Sequence, residues 1–221
     1  MNNLNISLYK FGKKKYTELA VKKGQIRLGT FFDFRDEEKH RGNILDKKEG
    51  IYERITKIDM YSGNIQGINK SLNTKFKGGG LIAMYGVNYS QTMVLPNAFV
   101  FCCSSELNES TINAAKIEGY DSVYKINNHL KFSDIIASNL NGKVMLASGG
   151  FCVYTDNNTI KTNLKAVCSE NLNFNQYFIK RKQFERQKEY RLIFSHLNSK
   201  NIEPIIISDI RLTKLMEEIE I

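Results

Sequence analysis

At 221 residues the chain suits one mixed or strand-rich domain, and its 42% hydrophobic content, with 13 Phe and 11 Tyr, excludes a disordered polypeptide. No apolar run approaches the roughly 18 residues of a spanning helix. The opening Met1-Asn-Asn-Leu-Asn-Ile-Ser lacks a secretory signal pattern, so a soluble cytoplasmic protein with no membrane partner is expected. The formal charge of +9 favours an anionic partner, either nucleic acid, a nucleotide or an acidic protein, although the abundance of Lys and Asn throughout accounts for part of that excess.

Residues 6–11 alternate apolar and polar side chains and predict a strand. Residues 14–23 carry Tyr16, Leu19 and Ala20 at helical spacing and stop at Gly24, a C-cap. Residues 25–32 return to strand character, so the opening unit is strand, helix, strand. Residues 33–50 are dense in charge and predict a surface loop or short exposed helix. Within it Arg35 to Glu49 is a solvated face, or Asp46 and Glu49 bind a cation or pin Arg35. Alternation continues in part over 51–60. Residues 63–80, rich in Gly, Asn, Ser and Lys, close on Gly78-Gly79-Gly80, which lacks the tail of a phosphate loop and reads as a hinge or hairpin turn before a strand at 81–87.

The almost continuous apolar run at 97–103 predicts a central strand. A helix over 110–119 stops at Gly119. Further strands are expected at 122–126, 150–155, 165–168, 176–180, 190–194 and 205–207, with helices at 129–140 and 209–219. More strands than helices, in irregular order, predict an α+β fold: a single domain over 1–221 with mixed, mostly antiparallel sheets and flanking helices. Cys102, Cys103, Cys152 and Cys168 form no Cys-x-x-Cys pair and read as buried free thiols. His40, His129 and His196 are isolated, and no metal site is expected.

Two blocks concentrate residues able to do chemistry. The first runs from Leu8-Tyr9-Lys10-Phe11 to Arg27-Leu-Gly-Thr30-Phe-Phe-Asp-Phe-Arg35, then Glu38, Asp46, Glu49 and Gly50. A metal-dependent nuclease built on Glu38, Asp46 and Glu49 is one option, without a recognisable motif. The second block, 178–194, interleaves Lys180, Arg181, Lys182 and Arg186 with Phe178, Phe184 and Tyr190. That is the makeup of a nucleic-acid surface, where cations meet phosphates and rings stack on bases, and equally of a basic hairpin with core aromatics. It ends in Glu189-Tyr190-Arg191, which reads as a half-buried strand with Tyr190 inward and the two charges paired to cross-strand neighbours, or as a functional carboxylate.

Together the tyrosine-lysine-aromatic strand, the Arg27-x-Gly-Thr30 stretch with its following acids, and the late Glu189-Tyr190-Arg191-Leu resemble the DUF2971 family of uncharacterised bacterial and phage proteins. The motif order is also similar to the ADP-ribosyltransferase fold, in which an early strand supplies Arg or His, a second a small hydroxyl residue and a late one the catalytic Glu. The resemblance implies Lys10, Thr30 and Glu189 as catalytic residues and Tyr9, Arg35 and Arg191 as contacts to NAD, with no metal. Breaking the nicotinamide–ribose bond builds positive charge that Glu189 would stabilise, while Lys10 or Arg35 neutralises pyrophosphate. The implied function is an effector of bacterial or phage conflict, such as anti-phage defence, that uses NAD to modify nucleic acid or a nucleic-acid-associated protein. The alternative is a non-catalytic phage-encoded module, anti-defence or regulatory, that binds a nucleotide or nucleic acid.

Overall fold

A computed structural model of the chain describes residues 6–35, 48–72, 75, 77–140, 144–156, 159–163, 176–196 and 202–221. The opening unit is β1 (Leu8–Gly12), α1 (Lys14–Lys23) and β2 (Gln25–Thr30). One face of α1 buries Thr17 and Ala20 while Lys14, Lys15, Lys22 and Lys23 stay in solvent. The helix ends at Gly24, which takes φ 64° and donates its N–H to Ala20 O.

A long antiparallel hairpin follows, β3 (Ile51–Asn64) and β4 (Leu81–Val94), linked through α2 (Ile65–Leu72). Ile68 and Leu72 of α2 pack on Ile58 and Tyr61 as a small separate core. Next come β5 (Ala98–Ser104), α3 (Glu109–Ile117), β6 (Ser122–Ile126), α4 (His129–Asn139), β7 (Val144–Phe151), β8 (Val153–Thr155) and β9 (Thr159–Asn163). The chain closes with β10 (Ile179–Arg181), β11 (Glu189–His196), β12 (Ile205–Ser208) and β13 (Met216–Ile219). A capping box starts α3: Asn108 accepts from the Thr111 N–H, and the Thr111 hydroxyl accepts from the Asn108 N–H.

The main sheet has eight strands in the order β12-β2-β5-β1-β6-β13, with β11 and then β7 added beside β5. β11 pairs with β5 along its whole length, so β1 and β2 share the opposite edge of β5. β2 holds it at Phe99 and Val100, and β1 touches it only through Tyr9 opposite Ser104. The sheet therefore splits at β5. The segment containing β12 and β13 straddles the split: β12 pairs with β2 at one end of the order and β13 with β6 at the other. A 3-10 turn, Ile210–Leu215, joins the two and buries Leu212 and Leu215 in the main core with Leu8, Leu28, Phe101, Ile126, Phe132 and Phe194. The fold is mixed helix and strand, mostly antiparallel, as its sequence predicts; the described exceptions are the parallel pairs β8–β10 and β3–β9.

Several local expectations need correction. The helix expected over 209–219 is the 3-10 turn and β13 instead, because Asp209 caps the Arg211 N–H and β6 offers Met216–Ile219 an open edge. α2 lies hidden in the Gly-rich stretch; Asn64 caps it by accepting the Gly67 N–H. The strand expected at 81–87 continues to Val94, the one at 150–155 is broken at Cys152, and the one at 176–180 begins as a 3-10 turn, Gln176–Phe178. β9 was not expected from its polar sequence. The strand expected at 165–168, with Cys168, lies outside the described residues, as do Glu38, His40 and Asp46. Among the described residues no helix is long and apolar enough to cross a membrane.

Candidate functional site

Where β1 and β11 both meet the Ser104 end of β5, the split leaves room, and α3 covers it. The result is a cavity of about 130 Å³. Tyr9, Lys10 and Phe11 come from β1, Cys102 to Ser104 from β5, Thr111, Ala114, Ala115 and Glu118 from α3 and its end, and Lys180, Gln187 and Glu189 from the second motif block; Phe34, Glu49 and Tyr120 complete the lining.

Behind the cavity lies a buried ion group. Glu189 and Arg191 are two residues apart on β11 and share a face, so the Arg191 Nε donates to Glu189 Oε1. Lys180 donates to the other carboxylate oxygen. The Arg191 guanidinium reaches Glu49 at 2.8 Å and donates to the Tyr177 carbonyl at 2.9 Å. All four charged side chains are buried, and their formal charges cancel. Burial pushes the Glu189 carboxyl up, but the Lys180 and Arg191 charges outweigh it and hold Glu189 well below the usual carboxylate range. Burial would lower Lys180, yet Glu189 holds it above its ordinary value. The Cys152 thiol, 3.7 Å from Glu189 Oε1, is pushed up to about 12 by burial, as is Cys103, so neither supplies a thiolate nucleophile at neutral pH.

The network runs on toward the cavity mouth. Lys180 Nζ also donates to Gln187 Oε1 at 2.7 Å, and the Gln187 amide donates to Glu118. Burial raises the Glu118 carboxyl above its usual value, only partly offset by the hydrogen bond from Gln187. From β1, Lys10 donates to the Cys102 carbonyl at 2.7 Å and lies over the Phe101 ring.

Of the residues that the sequence singles out, Tyr9, Lys10 and Glu189 line this one cavity. Thr30 does not. It is buried, and its hydroxyl accepts the Asp33 N–H at 3.1 Å to fix the turn after β2, where Arg27 pairs with Asp33. In that turn Gly29 has a packing role, since a Cβ there would lie 2.6 Å from the ring of Phe34, which lines the cavity. Arg35 donates to the Glu49 carbonyl beside the site and is not among its lining residues. Arg191 is fully buried and reaches a ligand only through Glu189 and Glu49, which corrects its expected role as a direct contact.

The basic block is corrected as well. Lys180 is buried with Glu189 and is no surface cation, and Phe178, Phe184 and Tyr190 are buried and cannot stack on bases. Lys182 and Arg186 are exposed, and Arg181 is partly so, leaving a smaller basic surface. Glu189 and Arg191 pair with each other and with distant residues, not across the strand ladder. The ends of the charged loop are also less exposed than expected, with Asp33 and Glu49 both buried.

Glu118 and Gln187 escaped the sequence reading. The available signal was Glu118 itself, a carboxylate at the C-cap of α3, where the helix dipole disfavours negative charge. Gln187 carries no such mark. No family model, curated protein or solved structure matches the chain.

Proposed function

We propose that the chain is an ADP-ribosyltransferase-like domain of the DUF2971 kind, which splits NAD in the Lys10–Glu189 cavity and transfers the ADP-ribosyl group to nucleic acid or a nucleic-acid-associated protein in bacterial or phage conflict. One observation carries the reading: Glu189, kept as a carboxylate by two buried cations, lines the same cavity as Tyr9 and Lys10. A fixed negative charge in a place with little water is what stabilises the cation that forms on the ribosyl carbon as nicotinamide leaves. Lys10, which lines the same cavity, is the cation for the phosphates. The split sheet, with its early basic strand and late glutamate strand, supports the ADP-ribosyltransferase-like form of the fold.

A second reading draws on two features of the same site. Both Glu189 oxygens already accept hydrogen bonds, and about 130 Å³ is well below the roughly 300–1,000 Å³ that encloses a drug-sized ligand. These favour a non-catalytic module that holds one phosphate or ribose of a nucleotide.

Incubation with NAD, with and without RNA or DNA, separates the two readings by free nicotinamide. The transferase releases it, and Lys10→Met, which leaves the buried ion group intact, lowers the rate about tenfold or more. Binding of ADP-ribose with no release under any condition gives the module.

A further inference from the structure

The cavity holds a second carboxyl whose surroundings are unlike those of Glu189. Both Glu189 oxygens are held by buried cations: Lys180 takes one and Arg191 the other. Glu118 stands on the cavity wall at the end of α3, partly exposed, and among the described residues Gln187 is the hydrogen-bond partner of its carboxylate. An unbroken chain of hydrogen bonds connects the two carboxyls through Gln187 and Lys180. The charged and titratable groups that face Glu118 are Lys10 of β1, Lys180 of β10, Glu189 of β11 and the neighbouring Tyr120.

We propose that Glu118 is the catalytic base of the cavity, which takes the proton of the acceptor's O–H or N–H group as that acceptor attacks the ribosyl carbon. This rests on the transferase reading and assigns it a residue. In the step, the bond between the ribosyl carbon and nicotinamide breaks, and its electron pair neutralises the pyridinium nitrogen. A lone pair of the acceptor forms the new bond to the same carbon. The acceptor's proton passes to the Glu118 carboxylate and from there to solvent. Glu189 stays ionised throughout as the fixed counter-charge.

The two roles need opposite environments, and the cavity supplies them. A counter-charge works best when it never titrates, which the buried cations ensure for Glu189. A base works best with a proton affinity raised toward the working pH, and burial with a position at the negative end of α3 moves Glu118 that way. Lys10, Lys180, Arg191, Glu49 and Glu189 sum to one positive charge, which an ionised Glu118 offsets.

The test is the rate of nicotinamide release from NAD by the wild type, Glu118→Gln, Glu118→Asp and Glu118→Ala across pH, with single-stranded RNA or DNA in excess as acceptor. The wild-type rate should rise with pH along an acid limb lying above the ordinary carboxylate range. Glu118→Gln should lose roughly a hundredfold or more in kcat, keep KM for NAD and lose the limb, as removal of a general base does. Glu118→Asp should keep the limb at a reduced rate, and added formate should restore part of the rate of Glu118→Ala, whose truncated side chain leaves room for it, which a merely structural role would not allow. Near-wild-type kcat and an unchanged limb in Glu118→Gln overturn this role and leave the transferase reading standing. No release by the wild type under any condition overturns both.

Discussion

Glu189 is a sequence candidate whose setting could not be read from its neighbours. A carboxylate next to a tyrosine at the start of a strand signals function or pairing equally well; what decides is that Lys180, nine residues earlier, and Glu49, just ahead of β3, come to the same buried spot. Burial of an ion group makes its parts interdependent. Glu189→Gln leaves Lys180 and Arg191 without their shared counter-charge, so a loss of about 3–5 kcal/mol of stability accompanies the loss of activity. Urea unfolding measures the first, and a variant as stable as the wild type would show that the group carries little energy. The pH dependence follows from the signs. Glu189 is depressed, so its contribution is present above the ordinary carboxylate range and fades only as pH falls through the lowered value. Lys180 is raised, so its share is complete below the ordinary lysine value and fades only as pH rises through the raised one. Wild-type stability from this pair should therefore be flat between about pH 5 and 10, and Glu189→Gln should remove it uniformly over that window.

At the level of elements, sequence reading works where local signals and tertiary pairing agree. α1 has helical spacing, a glycine stop and a buried face, and its expected bounds match those observed. Residues 209–219 have helical spacing too, but an open strand edge beside them wins. The two segments meet at Gly24, where a Cβ would lie 1.9 Å from the Asp209 carbonyl oxygen and the backbone is left-handed at φ 64°. Gly24→Ala must therefore separate α1 from the C-terminal segment, at an expected cost of about 3 kcal/mol or more. A fall in the urea midpoint with unchanged slope registers it; an unchanged midpoint would mean that the contact yields freely.

For the whole molecule, the number and order of the predicted elements foretold the class of fold and composition the sign of the charge, but neither foretold how the charge is used. Half of the basic block that resembled a nucleic-acid surface folds inward, since side-chain direction beyond a three-residue strand such as β10 is set by partners far away in sequence. With the aromatic rings buried, attraction to polyanions should be electrostatic and indifferent to base sequence. Binding to single-stranded RNA or DNA should be measurable near 50 mM salt, about the regime where screening still permits it, and should weaken steeply by about 200 mM. Lys182→Ala with Arg186→Ala should lower the salt slope by about 1.4, the share of two phosphate contacts on a single strand. An unchanged slope would place the contact elsewhere on the molecule, for example on the exposed lysines of α1.

The segment that straddles the split sheet has a kinetic consequence. β12 and β13 follow every other strand of the main sheet along the chain, yet they close opposite ends of the strand order, against β2 and β6. Their loop closures are long, and β2 must wait for residues some 180 positions downstream before its outer edge is paired. A nascent chain thus emerges with two strand edges open at once, and local structure cannot close either early. The sheet cannot be completed before β12 and β13 have been made, and the interval between the emergence of β2 and the arrival of β12 is when the chain is most exposed to wrong pairing.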